Sequence, residues 1–324
     1  MRKIIGWALP VVAALGLSAC GTTEDPADAA AKSGGEKITI TDARGKDIVL
    51  DGPAKRIATT EWNSVEYLVS LGVQPVGISD IKGYQAWDNS VKLAGKATEI
   101  GTRGEPSLDT LGSLNVDLVV VTDELTGGAL ESIEEKTPVA VIRGGDAKDA
   151  VGAMWTNVDL LAKATGTEDK AKELRSRYDA KIEEGRKAVT DAGKEGAKLA
   201  FSDAYVDAGT VNVRPFTKGA LVTEVLTDIG LVNAWPMAGD PAYGLAKADI
   251  EGLTQLPDDV LFWYIANDTF GDPYTDALKD NAIWQNLPFV QSGLVHRFPD
   301  GIWMFGGAES MMRLVDAAID AVQT

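Results

Sequence analysis

The sequence predicts an α/β fold of two lobes, each built on a mostly parallel sheet, with one long α-helix bridging them. Short continuous apolar runs separated by helical periodicity occur in both halves of the chain, a pattern typical of parallel strands covered by helices. Between the halves, residues 167–192 carry apolar side chains at helical spacing, namely Ala171, Leu174, Tyr178, Ile182 and Val189. At 1.5 Å per residue this helix would span roughly 35 Å, which is long enough to join two lobes.

The first lobe is predicted to comprise residues 37–166. Apolar residues alternate with polar ones on both sides of a glycine-containing turn at 43–46, which indicates a β-hairpin. The apolar runs that follow, at 56–60, 76–79, 117–121 and 139–142, read as strands of a parallel sheet.

The second lobe is predicted to comprise residues 193–324. Its strand-like runs lie at 198–201, 211–213, 260–265 and 295–298. Two open α/β lobes leave a cleft at the carboxyl ends of their strands, where such sheets bind ligands. Architecture alone leaves both an enzyme and a binding protein open.

The N-terminal segment has the pattern of an export signal, predicted over residues 1–19. Arg2 and Lys3 precede an apolar run at 4–17 that Pro10 interrupts and that is shorter than the roughly 20 residues of a membrane span. Residues 17–20, LSAC, resemble the lipobox of bacterial lipoproteins. We therefore expect Cys20 to be lipidated, residues 20–36 to form a flexible tether, and the folded part to be extracytoplasmic and anchored to the cell membrane.

Charge and cysteine content narrow the classes of partner. Cys20 is the only cysteine, so the folded region has no disulfide, iron–sulfur cluster or zinc–thiolate site. Without Arg2 and Lys3, 29 basic side chains oppose 48 acidic ones, a net charge of −19. This charge argues against nucleic acid or anionic lipid and favours cargo that is neutral, cationic or locally paired.

Candidates for catalysis are few. His296 is the only histidine and lies in a strand-like run, which favours a structural role. No Walker A sequence, strand-linked GxGxxG or histidine-based metal motif is present. We therefore expect no enzyme activity, resident cofactor or metal site, although pairs such as Asp258 and Asp259 keep a secreted carbohydrate-active enzyme as the alternative from another class.

The aromatic residues suggest binding instead. Trp62 follows the run at 56–60, and Trp303 and Phe305 follow the run at 295–298, so these three are placed to face a cleft. A core role is expected for three other tryptophans, which are Trp155, Trp263 and Trp284.

Over nearly the whole mature chain the sequence resembles the importer-binding lipoproteins that carry siderophores, haem and cobalamin, the class III substrate-binding proteins of ABC importers. The resemblance rests on RIA at 56–58, LGVQPVG at 71–77, GTRGEPSLD at 101–109 and DLVV at 117–120. Within the class, EW at 61–62, GYQAW at 83–87, NAW at 233–235, LPFV at 287–290 and WMFG at 303–306 are most similar to the ferric-hydroxamate (ferrichrome type) subgroup.

The resemblance implies capture of a ferric siderophore in a shallow, aromatic-lined cleft with small hinge motion. Arg103 matches an arginine that donates to the chelating oxygens, whereas Trp303 and Tyr243 match aromatic walls. Phe305 stands where some relatives have tyrosine. The expected ligand-binding set is Arg103, Trp303, Tyr243, Trp62, Trp87, Phe305, Trp235 and Arg214.

Charge also bears on the class of siderophore. A ferric hydroxamate presents anionic oxygens but little net charge, which suits one guanidinium and apolar walls. Catecholate complexes carry several negative charges, yet residues 197–324 contain seven basic and seventeen acidic side chains. Arg214 could supply a second cation and has no equivalent in the hydroxamate subgroup, so citrate-type and mixed siderophores remain open.

The resemblance further implies a permease dimer with its ATPase as partner for a monomeric binding protein. Asp109 and Glu224 match the carboxylates that contact permease arginines, although the family usually has glutamate where this chain has Asp109. A cobalamin or haem carrier of the same class is the second reading. Zinc and manganese carriers use several histidines, which this chain lacks.

Overall fold

The computed structural model describes residues 36–123 and 130–323. The predicted signal, Cys20 and the tether up to residue 35 lie outside the described residues. Within the described part, the chain forms two α/β lobes. No helix among these residues combines the length and the apolar character required to cross a bilayer.

In its described residues, the first lobe contains nine strands. In chain order they are β1 Ile38–Thr41, β2 Asp47–Leu50, β3 Ile57–Thr59, β4 Gly77–Ile78, β5 Thr98–Glu99, β6 Gly101–Thr102, β7 Glu105–Pro106, β8 Leu118–Thr122 and β9 Val139–Ile142. Strands β1 and β2 form the predicted antiparallel hairpin, with Ile40, Ile48 and Leu50 buried. The main sheet has the order β5-β4-β3-β8-β9 and is parallel throughout, which confirms the prediction from the continuous apolar runs.

Five helices of the described residues belong to this lobe, and the first of them begins at the cleft end of the sheet. They are α1 Trp62–Ser70, α2 Ile81–Trp87, α3 Leu108–Ser113, α4 Leu130–Glu134 and α5 Ala150–Thr165. Helix α1 begins directly after β3, so its first turn lies at the carboxyl end of the sheet. Strands β6 and β7 form a second small hairpin whose turn contains Arg103.

The long helix α6, Glu168–Asp191, starts one residue after the predicted segment and ends one residue before its close. Every apolar position of the predicted stripe is buried in it. Gly185 lies on this helix where a β-carbon would come within 2.8 Å of Ile229 and 2.6 Å of Val315. A glycine is therefore required for the close packing of α6 against the second lobe.

The second lobe contains five strands and four helices. They are β10 Lys198–Asp207, β11 Thr210–Phe216, α7 Leu221–Asp228, β12 Val232–Asn233, β13 Leu261–Ile265, α8 Ala282–Gln285, α9 Pro288–Gln291, β14 Val295–Phe298 and α10 Ala308–Gln323. The sheet order is β11-β10-β13-β14, and β12 pairs with the start of β10. A short 3-10 turn at Glu251–Gln255 and a π-helical turn at Pro273–Ala277 interrupt the connections.

The sheet of the second lobe is mixed. The runs at 198–201 and 211–213 are not successive parallel strands but the two arms of an antiparallel hairpin, β10–β11. Ala208 and Gly209 form its two-residue turn, and both have positive φ, 47° and 83°. This geometry matches the right-handed twist of the strands and gives a tight reversal.

The three tryptophans that were predicted to lie in the core do so. Trp155, Trp263 and Trp284 are all buried. His296 lies half-buried in β14, with its ring centroid 5.9 Å from that of Phe298, in keeping with a structural role.

Candidate ligand-binding cleft

Arg103 is held at the carboxyl end of the first sheet by a carboxylate. Its Nε donates to Oε2 of Glu61 at 3.0 Å, and its Nη2 lies 2.7 Å from Oε1. Glu61 follows β3 and also accepts a hydrogen bond from the backbone N–H of Trp62, so it caps α1. The guanidinium carbon lies 4.2 Å from the ring centroid of Trp62 and 5.4 Å from that of Trp303.

Arg214 forms a similar ion pair in the second lobe. It lies opposite Asp203 in the β10–β11 register, and its Nε donates to Oδ1 of Asp203 at 2.8 Å while its Nη2 donates to Oδ2. Its guanidinium carbon lies 5.5 Å from the ring centroid of Phe305 and 5.8 Å from that of Phe216.

Both carboxylates are buried, and burial raises the pKa of Glu61 and of Asp203. The adjacent guanidinium opposes that rise in each case. Each lobe therefore contributes one cation that already has its own counter-charge, and the cleft presents hydrogen-bond donors without a large positive field.

A continuous series of rings joins the two arginines. Trp303 and Phe305 are 5.1 Å apart between centroids, so the rings on which Arg103 and Arg214 lie contact each other. Trp62 contacts Trp303 at 4.8 Å, Trp87 contacts it at 6.4 Å, and Tyr243 contacts Phe305 at 5.3 Å. We call this set the aromatic series; with the two arginines, it brings together seven of the eight predicted ligand-binding residues.

Trp235 is the exception, and its assignment is corrected. Trp62, Trp303 and Trp235 are all buried, but the indole Nε1 of Trp235 donates to the backbone oxygen of Phe201 at 2.8 Å and its ring packs against Phe262 in the core of the second lobe. Strand β12 pairs with the first residues of β10, so Trp235 lies alongside the middle of β10 rather than beyond its end. It is a core residue of the second lobe.

Two spaces flank the aromatic series. A cavity of about 510 Å³ is lined by Trp87, Arg214, Phe270 and several aspartates. On the other side lies a narrow crevice of about 30 Å³, lined by Phe305, Tyr243, Gly144 and Gly145.

The lobes are in contact beside Tyr243. A β-carbon on Gly144 would come within 2.4 Å of the Tyr243 hydroxyl, and the backbone N–H of Ala147 donates to Pro241 at 3.1 Å. A ligand that reaches Tyr243 therefore requires the lobes to separate there.

Several residues of the cleft were not predicted from the sequence as part of the site. They are Glu61 as the partner of Arg103, Asp203 as the partner of Arg214, and the rings of Phe216 and Phe270. Asp203 could have been found, because a hairpin turn at Ala208 and Gly209 places it opposite Arg214. Among the described residues, no group of three or more His, Cys, Asp or Glu side chains is arranged to hold a metal ion.

The family described as periplasmic binding protein matches residues 57–300, three quarters of the chain. The chain belongs to this family. The family comprises substrate-binding proteins, and the two-lobed α/β fold observed here is that of its class III members.

Curated relatives of this binding protein match it over most of their length. The iron(3+)-hydroxamate-binding protein FhuD of Escherichia coli is 26% identical over 268 residues, 82% of this chain and 86% of that protein. The Fe(3+)-citrate-binding protein YfmC of Bacillus subtilis is 26% identical over 309 residues, 93% of this chain and 90% of that protein.

Solved structures share the fold of the binding protein. FhuD from Vibrio cholerae with bound Fe3+ and Desferal matches with a TM-score of 0.72 and 22% identity, covering 83% of this chain and 97% of that one. The petrobactin-binding protein YclQ from Bacillus subtilis matches with a TM-score of 0.71 and 17% identity, covering 90% and 100%.

The two residues expected to contact a permease differ in their surroundings. Asp109 is exposed in the first turn of α3. Glu224 is half-buried in the first turn of α7, and its Oε1 accepts a hydrogen bond from the backbone N–H of Gly219 at 2.7 Å. Asp109 is thus accessible to a partner protein, whereas one oxygen of the Glu224 carboxylate already accepts a hydrogen bond from the loop that precedes α7.

Proposed function

We propose that this periplasmic binding protein captures a ferric siderophore between its lobes and delivers it to the permease of an ABC importer. The observation that carries the proposal is the position of Arg103 and Arg214. One guanidinium comes from each lobe, and the two lie on the contacting rings of Trp303 and Phe305. A chelate placed between the lobes would meet donors from both sides and an aromatic wall.

The chemistry of this arrangement suits a hydroxamate chelate. Its oxygens are anionic and accept charge-assisted hydrogen bonds, while the complex as a whole carries little net charge. Because Glu61 and Asp203 already balance the two arginines, little positive charge is left to attract a multiply anionic catecholate. The relatives named above bind hydroxamate and citrate complexes, which supports an iron chelate as cargo.

Delivery requires an anchor and a docking surface. Two further relatives in Bacillus subtilis are named as ABC transporter or siderophore-binding lipoproteins, YhfQ and YfiY. We infer that Cys20 carries the lipid, that the tether lets the folded part reach the permease, and that Asp109 and Glu224 contact it. The protein acts as a monomer and carries no cofactor of its own.

A fluorescence titration of the purified full-length chain tests this function. Ferric hydroxamate, catecholate and citrate complexes, iron-free siderophores, cobalamin and haem are added in turn while tryptophan emission is followed. We expect a ferric hydroxamate to quench the emission with a dissociation constant below about 10 μM, equivalent to roughly −7 kcal/mol. Binding of cobalamin or haem alone, or of none of these compounds, would contradict the proposal.

A further inference from the structure

The cavity beside Trp87 has an apolar rim. It is lined by Trp87, Tyr205, Val206 and Phe270. Because Asp203, Asp272 and Asp276 also line it, we call it the acidic cavity. Tyr205, Val206 and Phe270 are 52%, 50% and 62% exposed, and they are three of the five exposed large hydrophobic residues in the described part of the chain. Exposed apolar side chains gathered around one cavity indicate a binding surface.

The cavity adjoins the proposed siderophore site. The rings of Phe270 and Trp87 stack at 5.5 Å with an interplanar angle of 12°, and Trp87 in turn contacts Trp303. Arg214 lines the cavity and also lies on Phe305. A ligand held against the aromatic series can therefore extend one of its arms into this space.

The charge of the cavity wall is negative. Asp203, Asp272 and Asp276 line it, and the only cation among its described lining residues is Arg214, which is paired with Asp203. Three carboxylates and one guanidinium group thus line the cavity, a net charge of −2. Arg297, which lies behind Asp272 at 3.6 Å, is shared with Asp268 and Asp300.

Asp276 is the carboxylate best placed to meet a ligand. It is exposed, and one of its oxygens accepts a hydrogen bond from the backbone N–H of Asp272 at 3.0 Å. Within the described part of the chain it forms no ion pair. Asp272, by contrast, is buried and accepts hydrogen bonds from Tyr264 and Tyr274.

We propose that the acidic cavity selects ferric siderophores whose organic scaffold carries a protonated amine on an apolar arm. The inference rests on the proposed function and specifies its substrate class. The arm lies against Phe270 and Tyr205, and its ammonium group faces Asp276 with aromatic faces nearby, an arrangement that favours cations. Complexes with a negatively charged arm are disfavoured by the same charges.

The inference is tested by comparing the affinities of two ligands that have the same iron chelate but differ in the charge of one arm. Ferric desferrioxamine B is a trihydroxamate with an amine-terminated arm, and its N-acetylated derivative keeps the same iron chelate but ends in a neutral amide. We expect the full-length chain to bind the amine form roughly tenfold more tightly at low salt, because one ionic contact at a partly exposed site is lost on acetylation. The ratio should shrink as salt is raised, since the contact is screened.

The variant Asp276→Asn assigns the effect to the cavity. Its amide oxygen can still accept the hydrogen bond from Asp272, so the local fold is kept while the charge is removed. We expect the preference for the amine to fall toward unity in this variant and to persist in the control Asp258→Asn. Asp258 is an exposed residue that precedes β13, at the end of the strand opposite the cavity.

The outcomes separate the two proposals. If neither ferric complex binds, the inference about the amine is wrong, and the proposed function fails only if the other ferric complexes do not bind either. If both bind with equal affinity, siderophore binding stands and the inference about the amine is wrong. A preference that survives unchanged in Asp276→Asn would overturn the assignment to the acidic cavity.

Discussion

Arg214 lies directly opposite Asp203 across the β10–β11 hairpin, and their side chains form a two-point ion pair. The Arg103–Glu61 pair of the first lobe has the same form, and each guanidinium also covers an aromatic ring. In the free protein these arginines are thus held in fixed positions by buried carboxylates. Chelating oxygens of a ligand would compete with those carboxylates for the same donors.

Replacing Arg103 by alanine should weaken binding of a ferric hydroxamate by about 1.5 to 3 kcal/mol, the range for a hydrogen bond to a charged group. Arg175→Ala is the matched control, because Arg175 also pairs with a carboxylate, Asp159, and lies 4.1 Å from a tryptophan ring centroid, but outside the cleft. Fluorescence titration of both variants measures the difference. Equal affinities for the two variants would place Arg103 outside the site.

Replacing Glu61 by glutamine should shift the charge preference of the cleft. The amide keeps a hydrogen-bond acceptor for Arg103 but removes its counter-charge, so the guanidinium attracts anionic complexes more strongly. We expect a ferric citrate-type complex to bind roughly fivefold more tightly, with a smaller change for a neutral hydroxamate complex. Titration with both complexes measures the shift; a parallel change for the two would show that Glu61 does not set the charge of the site.

Trp235→Phe should lower stability without changing affinity. The variant loses the hydrogen bond from the indole Nε1 to Phe201 and part of the packing on Phe262, which together are worth about 1 to 3 kcal/mol. Denaturant unfolding and siderophore titration measure the two effects separately. A large loss of affinity in Trp235→Phe would show that Trp235 belongs to the binding site.

Trp87→Ala should weaken siderophore binding with little change in the free energy of unfolding, because Trp87 is half-buried and lines the cavity. The same two measurements check this variant.

A pair of buried carboxyl groups, Glu66 and Asp88, lies where the lobes join. Glu66 accepts hydrogen bonds from the backbone N–H and the hydroxyl of Ser310 on α10, at 2.8 and 2.7 Å. Burial raises the pKa of both carboxyls, and the charge of Glu66 raises that of Asp88 further, while Arg313 opposes it. The neighbouring Tyr67 and Tyr84 are also buried, so ionising both carboxyl groups of the pair costs free energy.

The contribution of this pair to stability should therefore fall as pH rises above about 4, the ordinary carboxyl pKa, because the two groups bind more protons in the native state than in the unfolded state over that range. In Asp88→Asn the amide removes one ionisable group and keeps an acceptor for the Ser90 backbone. We expect the variant to gain stability relative to the parent protein more at pH 8 than at pH 5. Thermal unfolding at both pH values measures this; an identical difference at the two would contradict the assignment.

Much of the fold could be predicted because the relevant signals are local. The stripe on α6 and the continuous runs of the first sheet depend on residues close in sequence, and both were confirmed. The β10–β11 hairpin was missed because its strands were read as separate runs, although Ala208-Gly209 marks the reversal. Once that turn is recognised, counting outward from it pairs Asp203 with Arg214.

The site was predictable in part. Arg103, Trp303 and Tyr243 came from the family resemblance, and the aromatic series now links them. The Arg103–Glu61 pair joins residues 42 positions apart through the tertiary fold, so no spacing rule reveals it. Trp235 was misplaced because β12 is only two residues long and its pairing with the start of β10 cannot be seen in the sequence.

Locating the iron tests most directly whether the chelate binds between the two arginines. Crystals of the protein grown with a ferric hydroxamate would reveal the metal by its anomalous scattering at the iron edge. We expect a single iron between the guanidinium groups of Arg103 and Arg214, with the chelate against Trp303 and Phe305. An iron bound elsewhere on the chain, or a chelate contacting neither arginine, would contradict this expectation.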